Sequence, residues 1–266
     1  MSMLDRVVLA LMRDVSERIV MPRFQNLRAT EVIEKASDDL VTIADRESEV
    51  ALAEGLAKLH PEAAIVGEEA CHADPTVMDR LSGTCWIIDP IDGTANFAAG
   101  HAPFGLMVAL AEGGLAQAGW IYDPLQDRVC HATLGEGAFI DGERITARPT
   151  GETPPVAAIS TIFLDDARKA AVNAHIAPHY RVVETPRCAA EQYPRLALGE
   201  NDVSFFERTL AWDHAAGALW LNEAGGKCAR PDGSAYRVDE TGRTGMIGAA
   251  SPALWDVLAQ LYALLD

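Results

Sequence analysis

The sequence predicts a mixed fold in two parts, an α+β half over residues 1–152 and an α/β half over residues 153–266. Three observations carry this. In the first half, apolar β-prone runs are separated by the tight-turn signals Gly113-Gly114 and Asp141-Gly142, which mark antiparallel neighbours. In the second half, strand-like runs alternate with helical ones, the pattern of a mostly parallel sheet with helices on its faces. Between them, prolines and glycines crowd residues 149–155 and signal a boundary near residue 152.

The elements follow in chain order. Leu4, Val7, Val8, Leu11, Met12, Val15 and Ile19 recur at helical spacing and predict a core-facing first helix. Asn26 to Asp38 is mixed and polar, with no element predicted. A second helix is expected over Arg46–Leu59, stopped by Pro61, and a strand over Ala63–Gly67 that delivers Glu68 and Glu69 at its carboxyl end. Residues 70–83 read as a polar loop or short helix. Cys85, Trp86, Ile87 and Ile88 form a strand buried on both faces, expected to end at Asp89-Pro90 because proline cannot continue a central strand. Strands are then expected over Phe104–Leu110, Ala116–Tyr122, Val129–Thr133 and Ala138–Ile140. In the second half the expected order is strand Val156–Phe163, helix Asp165–Ile176, strand Arg181–Glu184, helix Cys188–Leu198 and strand Asp202–Phe206. Helix His214–Glu223 follows, closed by Gly225-Gly226, then strand Gly245–Ala250 and a last helix, Ala253–Leu265, capped by Ser251-Pro252.

Composition narrows the function. Half the residues are apolar, a globular balance, and the formal net charge is −17, which argues against a nucleic-acid partner because phosphate backbones are held by basic patches. An acidic protein acting on an anion needs bound cations to reverse its local field. The five cysteines are scattered without C-x-x-C spacing, so neither zinc nor a disulfide framework is indicated, and a cytoplasmic setting with reduced thiols is expected. The seven histidines show no zinc-binding spacing, and Trp120, Trp220 and Trp255 read as core. The short apolar run near the N-terminus is broken by Arg13 and Asp14, so it reads as an amphipathic helix. No stretch is long and apolar enough to predict a membrane span.

The chemistry concentrates in residues 84–97, Thr-Cys-Trp-Ile-Ile-Asp-Pro-Ile-Asp-Gly-Thr-Ala-Asn-Phe. Asp89 and Asp92 suit a hard divalent cation, above all magnesium. The backbone N–H groups of Gly93, Thr94 and Ala95, at the start of a short helix, suit a phosphate. Taken alone, D-x-x-D-G is also a common turn after a strand.

The longer string, W-I-I-D-P-I-D-G-T-A-N-F, resembles the signature of the inositol monophosphatase family, magnesium-dependent phosphomonoesterases related to fructose-1,6-bisphosphatase. Three further segments agree in order and approximate spacing: Asp39-Leu-Val-Thr-Ile-Ala-Asp45, Gly67-Glu68-Glu69, and Trp212-Asp213-His-Ala-Ala-Gly217 with Glu223-Ala-Gly-Gly226. The resemblance covers essentially the whole chain and implies a layered αβαβα sandwich and a homodimer. It implies that Glu68, Asp89 and the Ile91 carbonyl hold one Mg2+, and that Asp89, Asp92 and Asp213 hold a second. A third, weaker ion near Glu68 rests on the family alone. The nucleophile implied is a metal-activated water, oriented or deprotonated by Glu68 and Thr94, with Asp45 behind Thr94. Asp92, Gly93, Thr94, Ala189 and Glu207 are the implied substrate contacts. The implied substrate is a small anionic phosphate ester, inositol 1-phosphate first. Histidinol phosphate, 3′(2′),5′-bisphosphate nucleotides and fructose-1,6-bisphosphate are rivals, and a non-catalytic regulatory protein on the same fold is a rival of another class.

Singly, each residue has an ordinary structural use: Asp45 and Asp213 as helix N-caps, Glu68 and Glu69 as a solvated loop end, Thr42 and Thr94 as strand or cap residues. It is their combination in one order that favours a site. Two departures from the family pattern concern substrate choice. Arg187-Cys188-Ala189-Ala190 stands where the family has a glycine at the first position, so Arg187 could meet a second anionic group. Glu207 lies one residue closer to Asp213 than the family's glutamate. Lys35 resembles a family lysine at the cleft mouth, and among basic residues only Arg187 and Arg195 stand where a second phosphate would need them.

Overall fold

The computed structural model describes residues 1–36 and 39–265. The side chains of residues 29, 34–36 and 39 lie outside that description, and so therefore does the expectation for Lys35. The chain opens with α1 (Met3–Val15), where the Ser2 hydroxyl receives the Asp5 N–H and the Asp5 carboxylate receives the Ser2 N–H. A π-helical turn carries it on to Val20. Where no element is expected, β1 (Val32–Ala36) pairs antiparallel with β2 (Asp39–Thr42). The second helix, α2 (Ile43–Leu59), begins at Ile43 rather than Arg46. Thr42 is its cap, and Asp45 closes a capping box from the first turn instead of capping the helix itself.

β3 (Ala64–Gly67) leads into α3 (Glu68–Ala73), and β4 (Thr84–Asp92) into α4 (Thr94–Ala98). Then come β5 (Gly105–Glu112), β6 (Leu115–Asp123), β7 (Arg128–Thr133), β8 (Gly137–Ile140) and a short strand the sequence did not disclose, β9 (Glu143–Ile145). These form one seven-stranded sheet in the order β3-β4-β5-β6-β7-β8-β9, antiparallel throughout except for the parallel pair β3–β4.

The second half supplies β10 (Val156–Ile159), α5 (Asp166–His175), β11 (Arg181–Val183), α6 (Ala189–Ala197), β12 (Val203–Phe206) and α7 (Ala211–Glu223). It closes with β13 (Lys227–Ala229), β14 (Met246–Ala249) and α8 (Pro252–Tyr262). The five strands pair in the order β11-β10-β12-β14-β13. Only β10–β11 and β10–β12 are parallel, and β14 runs against both of its neighbours. The expected mostly parallel sheet is thus mixed. β13 and β14 are joined by a loop with no crossover helix, whereas parallel neighbours are usually joined through a helix.

Three apolar layers hold the molecule together. α1 and α2 cover one face of the large sheet through Met12, Leu52, Leu56, Trp86 and Trp120. α6 and α7 fill the space between the two sheets, with Tyr193, Trp220, Leu221 and Met246 in the same cluster as Ile87 and Met107. α5 and α8 cover the far face of the small sheet around Val172, Phe205, Trp255 and Leu258. The result is the αβαβα sandwich. The tryptophans expected in the core are there, and all five cysteines are buried free thiols.

Candidate active site

The residues that follow the carboxyl ends of β3, β4, β10 and β12 line one cleft of about 180 Å³. β4 is its centre, and its geometry corrects the expectation that the strand stops at Asp89-Pro90. Pairing with β5 continues to Asp92, with Asp89 opposite Met107 and Asp92 opposite Gly105. Three steps on β4 therefore match two on β5, so the strand carries a bulge of one extra residue across Pro90-Ile91. Proline is tolerated at a bulge because the ladder is already interrupted there. Residues three apart on a regular strand point to opposite faces. The extra residue puts Asp89 and Asp92 on the same face, and both line the cleft.

Asp213 joins them from the first turn of α7, where Leu210 occupies the cap position, so Asp213 is not the helix cap. Carboxylate oxygens of Asp89, Asp92 and Asp213 lie within 4.8 Å of one another. Asp89 and Asp92 are almost wholly buried, and Oδ1 of Asp89 has no hydrogen-bond partner among the described residues. Burial, and then the charges of Glu68, Asp92, Asp213 and Asp45, raise Asp89 well above the usual carboxylate range. Burial likewise pushes Asp92 up to about 6, against hydrogen bonds from Cys188 and from backbone N–H groups that oppose the rise. Crowded, dry and partly unpartnered carboxylates fit a divalent cation with oxygen ligands. Glu68, at the start of α3, lines the same cleft, as does Ile91, whose carbonyl receives the Thr94 hydroxyl at 2.9 Å.

Several groups of the site are held from behind. Oδ2 of Asp92 receives the Ala190 N–H at 2.6 Å, and α6 comes that close because Gly105 faces it: a Cβ there would stand 2.8 Å from Ala190 Cβ. Ala189 lines the cleft beside it. Asp45 is fully buried; its Oδ2 receives the Thr42 N–H and hydroxyl, and its Oδ1 faces the Thr94 hydroxyl at 3.2 Å. One turn further along α2, the buried Glu49 carboxylate receives the N–H groups of Glu69 and Ala70 at 2.7 and 2.9 Å, which fixes the start of α3 and with it Glu68. Gly93 precedes α4 at φ 84°, a backbone conformation that glycine adopts freely, and it and Thr94 line the cleft at the start of that helix.

The opposite wall comes from residues 160–163 and 205–208 and from the segment 185–189. Glu207 lies in it, and its buried Oε2 has no hydrogen-bond partner among the described residues. Its strap, residues 207–210, is tied at every backbone carbonyl. Gly245 N–H donates to Glu207, His214 Nε2–H to Arg208, and the Tyr236 hydroxyl to Thr209 and Leu210. Burial holds His214 down to about 3, so its ring is neutral; Nε2 carries the proton and Nδ1 accepts from the Tyr193 hydroxyl at 2.9 Å. Arg187 lines the cleft from an exposed position at φ 53°. Arg195 does not line it: the side chain is paired with Glu191 at 2.8 Å. Sequence reasoning overlooked Glu49, Phe163, Gln192 and Arg208. Of these only Glu49, four residues after Asp45 and so on the same face of α2, left a trace in the spacing.

Among the described residues, no helix is long and apolar enough to cross a membrane. The model of the inositol monophosphatase family matches residues 2–264. An inositol-1-monophosphatase of Bacillus subtilis is 30% identical over 88% of this chain and 87% of its own length. A protein of Neisseria meningitidis named putative Nus factor SuhB is 31% identical over 91% and 90%. Among solved structures, the extragenic suppressor protein SuhB of Bartonella henselae superposes with a TM-score of 0.82 at 24% identity, covering 98% of both chains. An inositol monophosphatase of Thermotoga maritima does so at 0.77 and 24%, covering all of both. The αβαβα layers, the carboxylates gathered at the β4 bulge and a match that runs almost from end to end agree: this chain belongs to the inositol monophosphatase family.

Proposed function

We infer that the protein is a magnesium-dependent phosphomonoesterase acting on small alcohol phosphates, with inositol 1-phosphate as its reference substrate. The observation that carries this is the buried cluster of Asp89, Asp92 and Asp213, whose mutual repulsion a bound divalent cation would relieve. Asp89, Asp92 and Asp213, with Glu68 and the Ile91 carbonyl, are the residues that would hold Mg2+. Bound there, the cations would neutralise phosphate charge, activate water and stabilise the leaving oxygen.

The chain's own residues account for orientation. The N–H groups of Gly93 and Thr94 at the mouth of α4 would donate to phosphate oxygens. The Thr94 hydroxyl hydrogen is engaged by Ile91 O and Asp45 Oδ1, leaving the Thr94 oxygen to accept a hydrogen bond from the attacking water. Glu68 accepts a proton from that water. Ala189 and Glu207 take hydroxyl groups of the alcohol. The names of curated relatives divide between inositol-1-monophosphatase and Nus factor, so a non-catalytic role is the rival reading. That rival leaves no reason to keep every carboxylate of the cluster, and here all are present.

The test is phosphate release from inositol 1-phosphate, histidinol phosphate, fructose-1,6-bisphosphate and adenosine bisphosphate, with and without Mg2+. Magnesium-dependent release from inositol 1-phosphate is expected. Release from none of the four with Mg2+ present would overturn the enzymatic reading.

A further inference from the structure

The carboxylate cluster has a cation of the protein's own beside it. Nη2 of Arg208 stands 3.9 Å from Oδ2 of Asp213, and both residues line the cleft. Two further contacts keep the arginine there. Its backbone carbonyl receives the Nε2–H of His214 at 3.0 Å, which ties the strap to the residue next to Asp213. Its guanidinium lies over the Phe163 ring, 4.4 Å from the centroid, so the side chain is also stacked against the segment that follows β10. The Arg208 side chain is 40% exposed and that of Asp213 18%. A pair this open to solvent adds little to the stability of the fold, so it is poorly explained as a strut.

Its place beside the cluster gives it another effect. Asp213 brings a carboxylate oxygen within 4.8 Å of oxygens of Asp89 and Asp92. A divalent cation drawn to those three meets a carboxylate that already has a positive neighbour, and charges so close interact even near a surface. The guanidinium keeps its proton throughout the working range of pH, so its charge is permanent. The formal net charge of −17 acts in the opposite sense, drawing cations toward the whole molecule, whereas Arg208 acts at one edge of one cluster.

We propose that Arg208 is a built-in competitor of Mg2+ at Asp213, weakening the hold of the cluster on a cation at that edge. The proposal rests on the magnesium reading given above. Its consequence is a cation that exchanges more readily than three crowded carboxylates alone would allow, with turnover that follows Mg2+ over a higher range of concentration.

The test is Mg2+ binding by calorimetry to the chelated, substrate-free protein, as wild type, Arg208→Gln and Arg208→Lys. Arg208→Gln removes the charge and is expected to bind Mg2+ about fivefold more tightly, the upper end for a partly exposed ion pair. Arg208→Lys keeps the charge and should stay within about twofold of the wild type. Direction separates competition from support, because losing a strut of Asp213 would loosen the seat and weaken binding. Unchanged or weaker binding by Arg208→Gln, or equal tightening by Arg208→Lys, would overturn the proposal while leaving the magnesium reading intact. Absence of Mg2+ binding by all three proteins would overturn that reading and the proposal with it.

Discussion

The wall built by β4, α2 and α3 presents the buried carboxylates Asp45, Asp89 and Asp92, and braces come from backbone N–H groups at Asp45, Asp92 and, through Glu49, at the start of α3. The wall built by residues 160–163 and 205–208 presents an exposed phenylalanine, a guanidinium at the surface and a glutamate with an unpartnered oxygen. Side chains that must hold a charge in a fixed place need supports on several sides, because a carboxylate displaced by an ångström loses its electrostatic value. Side chains that choose among alcohols need only a contact surface. The first wall therefore sits inside the packed layers and the second at their edge.

The contrast can be broken most severely at Asp89. Asp89→Asn should lower turnover roughly a thousandfold, the scale of losing a preorganised charge in a dry site. The same variant, stripped of metal by a chelator, should melt at a higher temperature than the wild type at pH 7. Asp89 has a folded pKa well above its unfolded value, so the native state binds the extra proton and stability falls as pH rises through the folded value. Asparagine removes that loss, and the advantage should vanish well below pH 3.8, the ordinary value of the carboxyl, where the wild-type group is protonated in both states. A lower melting temperature for the variant at every pH would mean that the carboxylate is satisfied without a cation.

Thr94→Ala is expected to lower kcat about a hundredfold, the range for a positioned proton acceptor, with KM changed little. A rise in KM at unchanged kcat would make Thr94 a binding residue only. The smallest effect belongs to the opposite wall. Glu207→Gln should lower kcat/KM for inositol 1-phosphate about tenfold, the value of one charge-assisted hydrogen bond, with kcat for a simple alcohol phosphate such as glycerol 2-phosphate unaffected. Equal losses on both substrates would place Glu207 with the carboxylate wall.

The two walls also differ in how well they are written in the sequence. Asp89, Asp92, Gly93 and Thr94 are nearly consecutive, and the strand before them is apolar without interruption, so the core of the site was legible as a string. Glu68, Asp45 and Asp213 became legible because each stands beside an element boundary. The bulge was not, since Pro90 was read as a strand end and only pairing with β5 shows the strand continuing. Nor was the contact from Ala190 to Asp92, which joins residues 98 apart in the chain and depends on the space left at Gly105. β13 is three residues long and is defined by its partner more than by its own composition. The stack of Arg208 on Phe163 leaves no periodicity at all, because it joins two loops that meet only once β10 and β12 have paired.

The strap from 207 to 210 has a consequence for how this molecule can change over time. Its backbone is moored by Gly245, His214 and Tyr236, none of which relies on what residues 207 and 208 happen to be. Exchanging those two side chains rewrites the surface offered to the alcohol while the mooring keeps its course. Position 207 can thus be exchanged without disturbing the course of the chain, whereas a change at 208 also removes a cation from beside Asp213.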